Sequence, residues 1–107
     1  MLKQSEIQVI TEKIINTVHP LSIELFGSYA NGTPTEESDV DLCVIVSDKV
    51  DIHNVNQQIQ QVCMNRSFAL DLLVLTQSRR AFLASIANSF YTTHILEKRK
   101  VLYDINE

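Results

Sequence analysis

"LFGSYANGTPTEESDVDLCVIV", residues 25–46, decides how the rest of the chain is read. It holds both glycines of the chain, Gly27 and Gly32, and sets Asp39 and Asp41 at the mouth of an apolar run. Just before it, Leu21 to Phe26 alternates apolar and polar residues through Ser22 and Glu24, which is the period of a strand. Asp39 to Val46 reads as a second strand, and its near-continuous apolar character predicts burial on both faces. Gly27 to Glu37, between the two, is polar and turn-rich, with room for a short helix after the glycine.

Strand geometry gives the aspartates a meaning. Side chains two residues apart share a face, so Asp39 and Asp41 point at one place while Val40, Leu42 and Val44 face the other way. Two adjacent carboxylates repel each other and resist desolvation. A divalent cation relieves both problems, and all-oxygen ligands favour Mg²⁺ or Mn²⁺ over zinc. Asp71 sits inside "FALDLLVL" (residues 68–75), the most apolar segment, and reads as a buried carboxylate on a third strand. If the two strands pair, three carboxylates meet, a set that suits two Mg²⁺ ions acting on a phosphoryl group. Gly27 allows a tight turn and a close approach of backbone to ligand, with the following N–H groups and the Ser28 hydroxyl as phosphate donors. Each feature has a plainer reading alone. Gly27-Ser28 could only end a strand, Asp39 could serve a turn after Ser38, and Asp71 could pair with an arginine such as Arg66. In this order, on these strands, they point to one nucleotide site.

The rest of the chain supplies a frame. Ser5 with Gln8 reads as a capping box opening a helix whose stripe is Ile7, Ile10, Ile14 and Val18, closed by Pro20. Asp51 is a candidate N-cap for a second helix with Ile52, Val55, Ile59 and Val62 inward. Ser78 is a candidate cap for a third, carrying Phe82, Leu83, Ile86 and Phe90. A short helix is expected over Thr92 to Lys98, then "KVLYDI" as an edge strand or extended tail. The expected fold class is α/β (α+β), a small mixed β-sheet flanked by helices, in one domain spanning residues 1–107.

Composition excludes several classes. A 45% hydrophobic, 21% charged chain of 107 residues is globular in type. No apolar run approaches the roughly 20 residues of a bilayer span, and no basic-then-apolar leader is visible, so the expected compartment is cytoplasmic. Cys43 and Cys63 read as buried reduced thiols, and His19, His53 and His94 lack zinc-ligand spacing. Residues 1–76 carry four Lys/Arg against ten Asp/Glu, a balance of −6; residues 77–107 carry five against three, a balance of +2. So acidic a body argues against stable nucleic-acid binding. Arg79 and Arg80 are candidates to meet phosphate or an acidic partner, or else a solvated pair.

"GSYANG", then "SDVDLCVIV", then an isolated Asp in a later apolar strand, resembles the nucleotidyltransferase superfamily of DNA polymerase beta. The short length and the terminal "ILEKRKVLYD" are similar to the minimal nucleotidyltransferases, or MNT domains, many of which are antitoxins of HEPN ribonuclease toxins. The resemblance implies the polymerase beta-like fold, Asp39 and Asp41 as metal ligands, and Asp71 as the third catalytic carboxylate. It implies Gly27 and Ser28 as the triphosphate-binding pair, with Ser38 beside Asp39 as a further nucleotide-binding candidate. It further implies two Mg²⁺ ions, with Mn²⁺ as an alternative, and transfer of AMP from ATP to a tyrosine hydroxyl of a HEPN-domain toxin. Two rival readings are a binding-only antitoxin that acts by occlusion and transfer to a small molecule such as an aminoglycoside. A homodimer and a hetero-oligomer are both compatible with the sequence. Asn31 stands where the family often has arginine, and Arg99 where many relatives have a turn glycine.

Overall fold

The computed structural model describes residues 2–64 and 66–107. The chain opens with α1 (Gln4–Val18) and β1 (Ser22–Phe26), followed by the single turn α2 (Ser28–Asn31) and β2 (Val40–Val46). Then come α3 (Ile52–Val62), β3 (Leu70–Thr76), α4 (Gln77–Ala84), a wide π-type turn α5 (Tyr91–Leu96) and β4 (Lys100–Asp104). The four strands form one mixed sheet in the order β3-β2-β1-β4. β1 runs antiparallel to β2 and β4, while β2 and β3 run parallel through the α3 crossover. This is the mixed α/β architecture that the sequence led one to expect, with "KVLYDI" as an edge strand.

The central strands divide their side chains between two cores. Val40, Leu42, Val44 and Val46 of β2 pack with Ile7, Ile10 and Ile14 of α1 and Val55 and Ile59 of α3. Cys43 and Ile45, on the opposite face, pack with Phe26, Leu75, Tyr91 and Ile95 beneath α4 and α5. Each fully buried aliphatic side chain contributes about 1.5–3 kcal/mol relative to exposure, and both faces of β2 are used. α1 and α3 therefore cover one side of the sheet, and the α4–α5 pair covers the other.

Three helix starts refine the expectations. α1 begins earlier than the Ser5/Gln8 reading, because the Glu6 carboxylate accepts from the Lys3 N–H at 3.0 Å. A charged carboxylate is a stronger acceptor than the Gln8 amide and sits well at the positive end of the helix. Asp51 does cap α3, accepting from the His53 N–H at 2.9 Å. Ser78 does not cap α4. Thr76 does, accepting from the Arg79 N–H, while Ser78 donates its N–H and hydroxyl to Asp48 across the sheet end. α4 then stops at Ala84, leaving Ile86 and Phe90 outside it.

Candidate active site

β1 ends at Phe26, and the chain turns through Gly27 with φ +74° into α2. α2 is pinned from beneath by Tyr29, which is buried in the core and accepts the Leu2 N–H on its hydroxyl at 3.1 Å. The N–H groups of Ser28 and Tyr29 thus open a helical turn, the positions that lack intrahelical acceptors. Gly32 closes the turn with φ +79°, donating to the Ser28 carbonyl. Ser38 shapes the return: its hydroxyl accepts the Thr35 N–H at 2.8 Å and its own N–H donates to the Thr35 carbonyl. That hydroxyl serves the loop rather than standing open toward the Gly27 turn.

Gly27 also has a neighbour that the sequence did not disclose. A Cβ at this position would collide with the Asp41 carboxylate, lying 2.9 Å from its Cγ and closer still to Oδ2. The two pieces are brought together because Phe26 and Asp41 are cross-strand partners in the β1–β2 register. Close backbone approach was expected toward a ligand; within the chain it is toward the aspartate.

Asp41 in turn is the register partner of Asp71, one strand farther out. In parallel strands with aligned register, both side chains leave the same face of the sheet, here the α4–α5 face. Burial pushes the Asp41 carboxyl up to about 6, helped by the charge of Asp71, a hydrogen bond to it, and the charge of Asp39. Asp71 is exposed, which corrects the expectation of a buried carboxylate: β3 is the sheet edge, and only its later residues are covered. Asp39 is exposed too, one residue before β2, so it stands at the rim. Among the described residues, no three His, Cys, Asp or Glu groups converge closely enough to hold a metal ion. Asp41 and Asp71 meet in register, and Asp39 stands near enough for its charge to act on Asp41. Oxygen donors with a carboxyl already held above its ordinary range fit a hard divalent cation, which relieves that repulsion.

The ion pairs of the described residues join arginines to Glu24 rather than to Asp71, and the Arg66 guanidinium donates to the Cys63 carbonyl at 3.0 Å. Arg80 does not face phosphate. It lies 3.2 Å from Glu24 Oε2, and its Nε donates to the Tyr91 hydroxyl at 2.8 Å, which donates to Glu24 Oε1 at 2.7 Å. Arg99 closes the group with Nε 2.8 Å from Glu24 Oε2, an ion pair by distance without hydrogen-bond alignment. Glu24 is 1% exposed, so sequence reading missed a buried ionic cluster behind the site. The strand alternation alone concealed it, since a glutamate in an alternating strand reads as solvent-facing; the nearest signal was the clustering of arginines near Tyr91.

The polymerase beta nucleotidyltransferase family model matches residues 8–107 of the chain. A protein of Methanocaldococcus jannaschii that bears the name of a protein adenylyltransferase is 38% identical over 81 residues, covering 76% of each chain. Among solved structures, a nucleotidyltransferase of Sulfolobus solfataricus superposes with TM-score 0.64 at 14% identity, covering 96% of this chain and 81% of the other. A toxin–antitoxin crystal structure with AMP-PNP superposes with TM-score 0.50 at 19% identity, covering 91% and 73%. At such identities these two show the fold. The chain belongs to the polymerase beta nucleotidyltransferase family, and the polymerase beta-like architecture expected from its motifs is the one it adopts.

Proposed function

From membership of that family we propose that this nucleotidyltransferase moves AMP from ATP to a hydroxyl, that of a tyrosine, on a HEPN-domain toxin, as its antitoxin. The observation that carries the reading is the meeting of Asp41 with Asp71 in register, with the Asp41 carboxylate lying against Gly27 at the head of the phosphate turn. Phosphate-turn amides and acidic side chains thereby share one edge of the sheet. The name of the archaeal relative supports a protein acceptor, and the toxin–antitoxin neighbour with its ATP analogue supports an assembly of this kind.

Asp41 and Asp71, with Asp39 moving in from the rim, would hold Mg²⁺, which neutralises triphosphate charge and acidifies the attacking hydroxyl. The chain's own groups do the rest. The Ser28 and Tyr29 amides and the Ser28 hydroxyl hold the phosphates without a cationic side chain. Asp71, exposed at the edge strand, is placed to accept the proton of an arriving hydroxyl. Pyrophosphate leaves toward the loop. Asn31, exposed at the end of α2, contributes a neutral amide there.

The experiment is transfer of label from α-labelled ATP to a purified HEPN-domain protein in Mg²⁺. Label that depends on Asp39 and Asp41 supports the proposal. The rival, a binding-only antitoxin, is favoured by Asn31, a neutral residue where the family often has arginine. Full neutralisation of the toxin by Asp39→Asn/Asp41→Asn, with no label transferred by the parent, establishes the rival instead.

A further inference from the structure

The sequence assigned Phe82, Leu83, Ile86 and Phe90 to one inward helical stripe, and the structure buries only part of it. Leu83 packs into the core beneath α4, while Phe82, Ile86 and Phe90 are 54%, 39% and 58% exposed. They lie at the corner between α4 and α5, which is held rigidly. The Leu83 carbonyl accepts the hydroxyls of Ser89 and Thr92, and the Phe82 carbonyl accepts that of Ser85. His94 lies against Phe90 with ring centroids 4.8 Å apart, and the Arg79 guanidinium sits 5.4 Å from the Phe82 ring centre. Large aromatic side chains kept in water on a pinned corner mark an interaction surface rather than slack packing.

Its position points to the occupant. Leu83 and Ala84, inside the corner, pack against the cluster that Phe26, Cys43 and Leu75 form on the sheet face from which Asp41 and Asp71 project. Charge points the same way. Arg80 and Arg99 are taken up by Glu24, whereas Arg79 is exposed and sits over the Phe82 ring, which puts a positive charge on the corner itself. We propose that the corner formed by Arg79, Phe82, Ile86, Phe90 and His94 is the docking surface for the acceptor protein, which meets it with an apolar patch rimmed by acidic residues. The proposal rests on the protein-acceptor reading above and gives that acceptor its landing place. Docking here brings its hydroxyl to the open side of the Asp41–Asp71 edge, while the metal and phosphate turn handle only ATP.

The test uses the full chain and a HEPN-domain protein as probe, with binding and label transfer measured separately. Phe82→Glu and Phe90→Glu should each weaken binding by about 30-fold or more, the scale of an interface anchor. Transfer should fall at low probe concentration and recover at high concentration. Both variants should keep the parent's melting temperature and its response to AMP-PNP with Mg²⁺. Val9→Glu, an equally exposed apolar position on α1 across the sheet, should bind as the parent does. Unchanged binding by both phenylalanine variants overturns the proposal, as does a parent that fails to bind. A loss of self-association with probe binding intact also overturns it, giving the face to a second copy of this chain. A parent that binds without transferring label defeats the enzymatic reading and leaves the docking surface standing; label transfer undiminished at low probe concentration in both variants does the reverse.

Discussion

Gly27 carries two constraints at once. Its φ of +74° disfavours any residue with a Cβ, and that Cβ would have to displace the Asp41 carboxylate. Gly27→Ala is therefore expected to cost about 1–3 kcal/mol of stability by urea titration and, on the proposed function, to lower label transfer by roughly 100-fold or more, since a small displacement of the Asp41 carboxylate is enough. Retention of most activity would separate the turn from the aspartate. Asp41 has its own signature. Its folded carboxyl titrates at about 6, above the 3.8 of an unfolded chain, so the folded state holds the extra proton between those values. That contribution is present below the unfolded value and is lost as pH rises through 6. Asp41→Asn, which mimics the protonated form, should raise the melting temperature of metal-free protein by a few degrees at pH 7.5 and by nothing at pH 3.5. An equal rise at both pH values would assign it to something other than the carboxylate charge. Burial, then Glu24, pushes the Cys43 thiol up to about 12, and Cys43 is likewise expected to resist aromatic disulfide reagents until the protein unfolds.

At the scale of elements, the buried glutamate shows where sequence reading succeeds and where it stops. The strands were legible because β2 and β3 are apolar on both faces and the carboxylates Asp39, Asp41 and Asp71 fall at their starts. α1 and α3 were legible by helical spacing, and the Asp51 cap by its residue type. Glu24 was hidden because its partners, Arg80, Tyr91 and Arg99, lie 56 to 75 positions away, and no local period registers a long-range ion pair. α4 was over-extended for a related reason: Phe82, Ile86 and Phe90 keep helical spacing although the helix ends at Ala84. Periodicity reports where side chains fall on a helix; it does not report whether anything covers them. The cluster itself is open to measurement. Glu24→Ala leaves two half-buried guanidiniums without their carboxylate and should cost about 3–5 kcal/mol in urea unfolding. Tyr91→Phe removes a hydroxyl that donates to Glu24 and accepts from Arg80, and should cost about 1–2 kcal/mol. Similar small losses for both would show that water replaces the carboxylate and that the cluster is not holding α4 and α5 to β1.

Across the whole molecule, the sheet binds three tasks into a body 33 × 28 × 25 Å in extent. One face packs α1 and α3 and supplies the larger core. The other carries α4 and α5 and leaves Asp71, on the outer strand, exposed. The central strand β1 joins these tasks, with Glu24 tying down the C-terminal segment and Gly27, three residues later, opening the turn into α2. The meeting of Asp41 with Asp71 was legible because both carboxylates fall at the start of apolar strands that pair. The site's openness was not, because the edge position of β3 follows from strand order, which no single segment encodes. An open site with mutually repelling carboxylates should be completed by its ligands, and that is measurable as stability. AMP-PNP with Mg²⁺ at about 100 times its dissociation constant should stabilise the parent by about 2.7 kcal/mol, several degrees in melting temperature for a chain of this size. EDTA should remove most of the shift, and Asp39→Asn/Asp41→Asn should abolish it. A full shift in that double variant would mean that the nucleotide sits elsewhere, and the acidic edge would then owe its strain to something other than ATP.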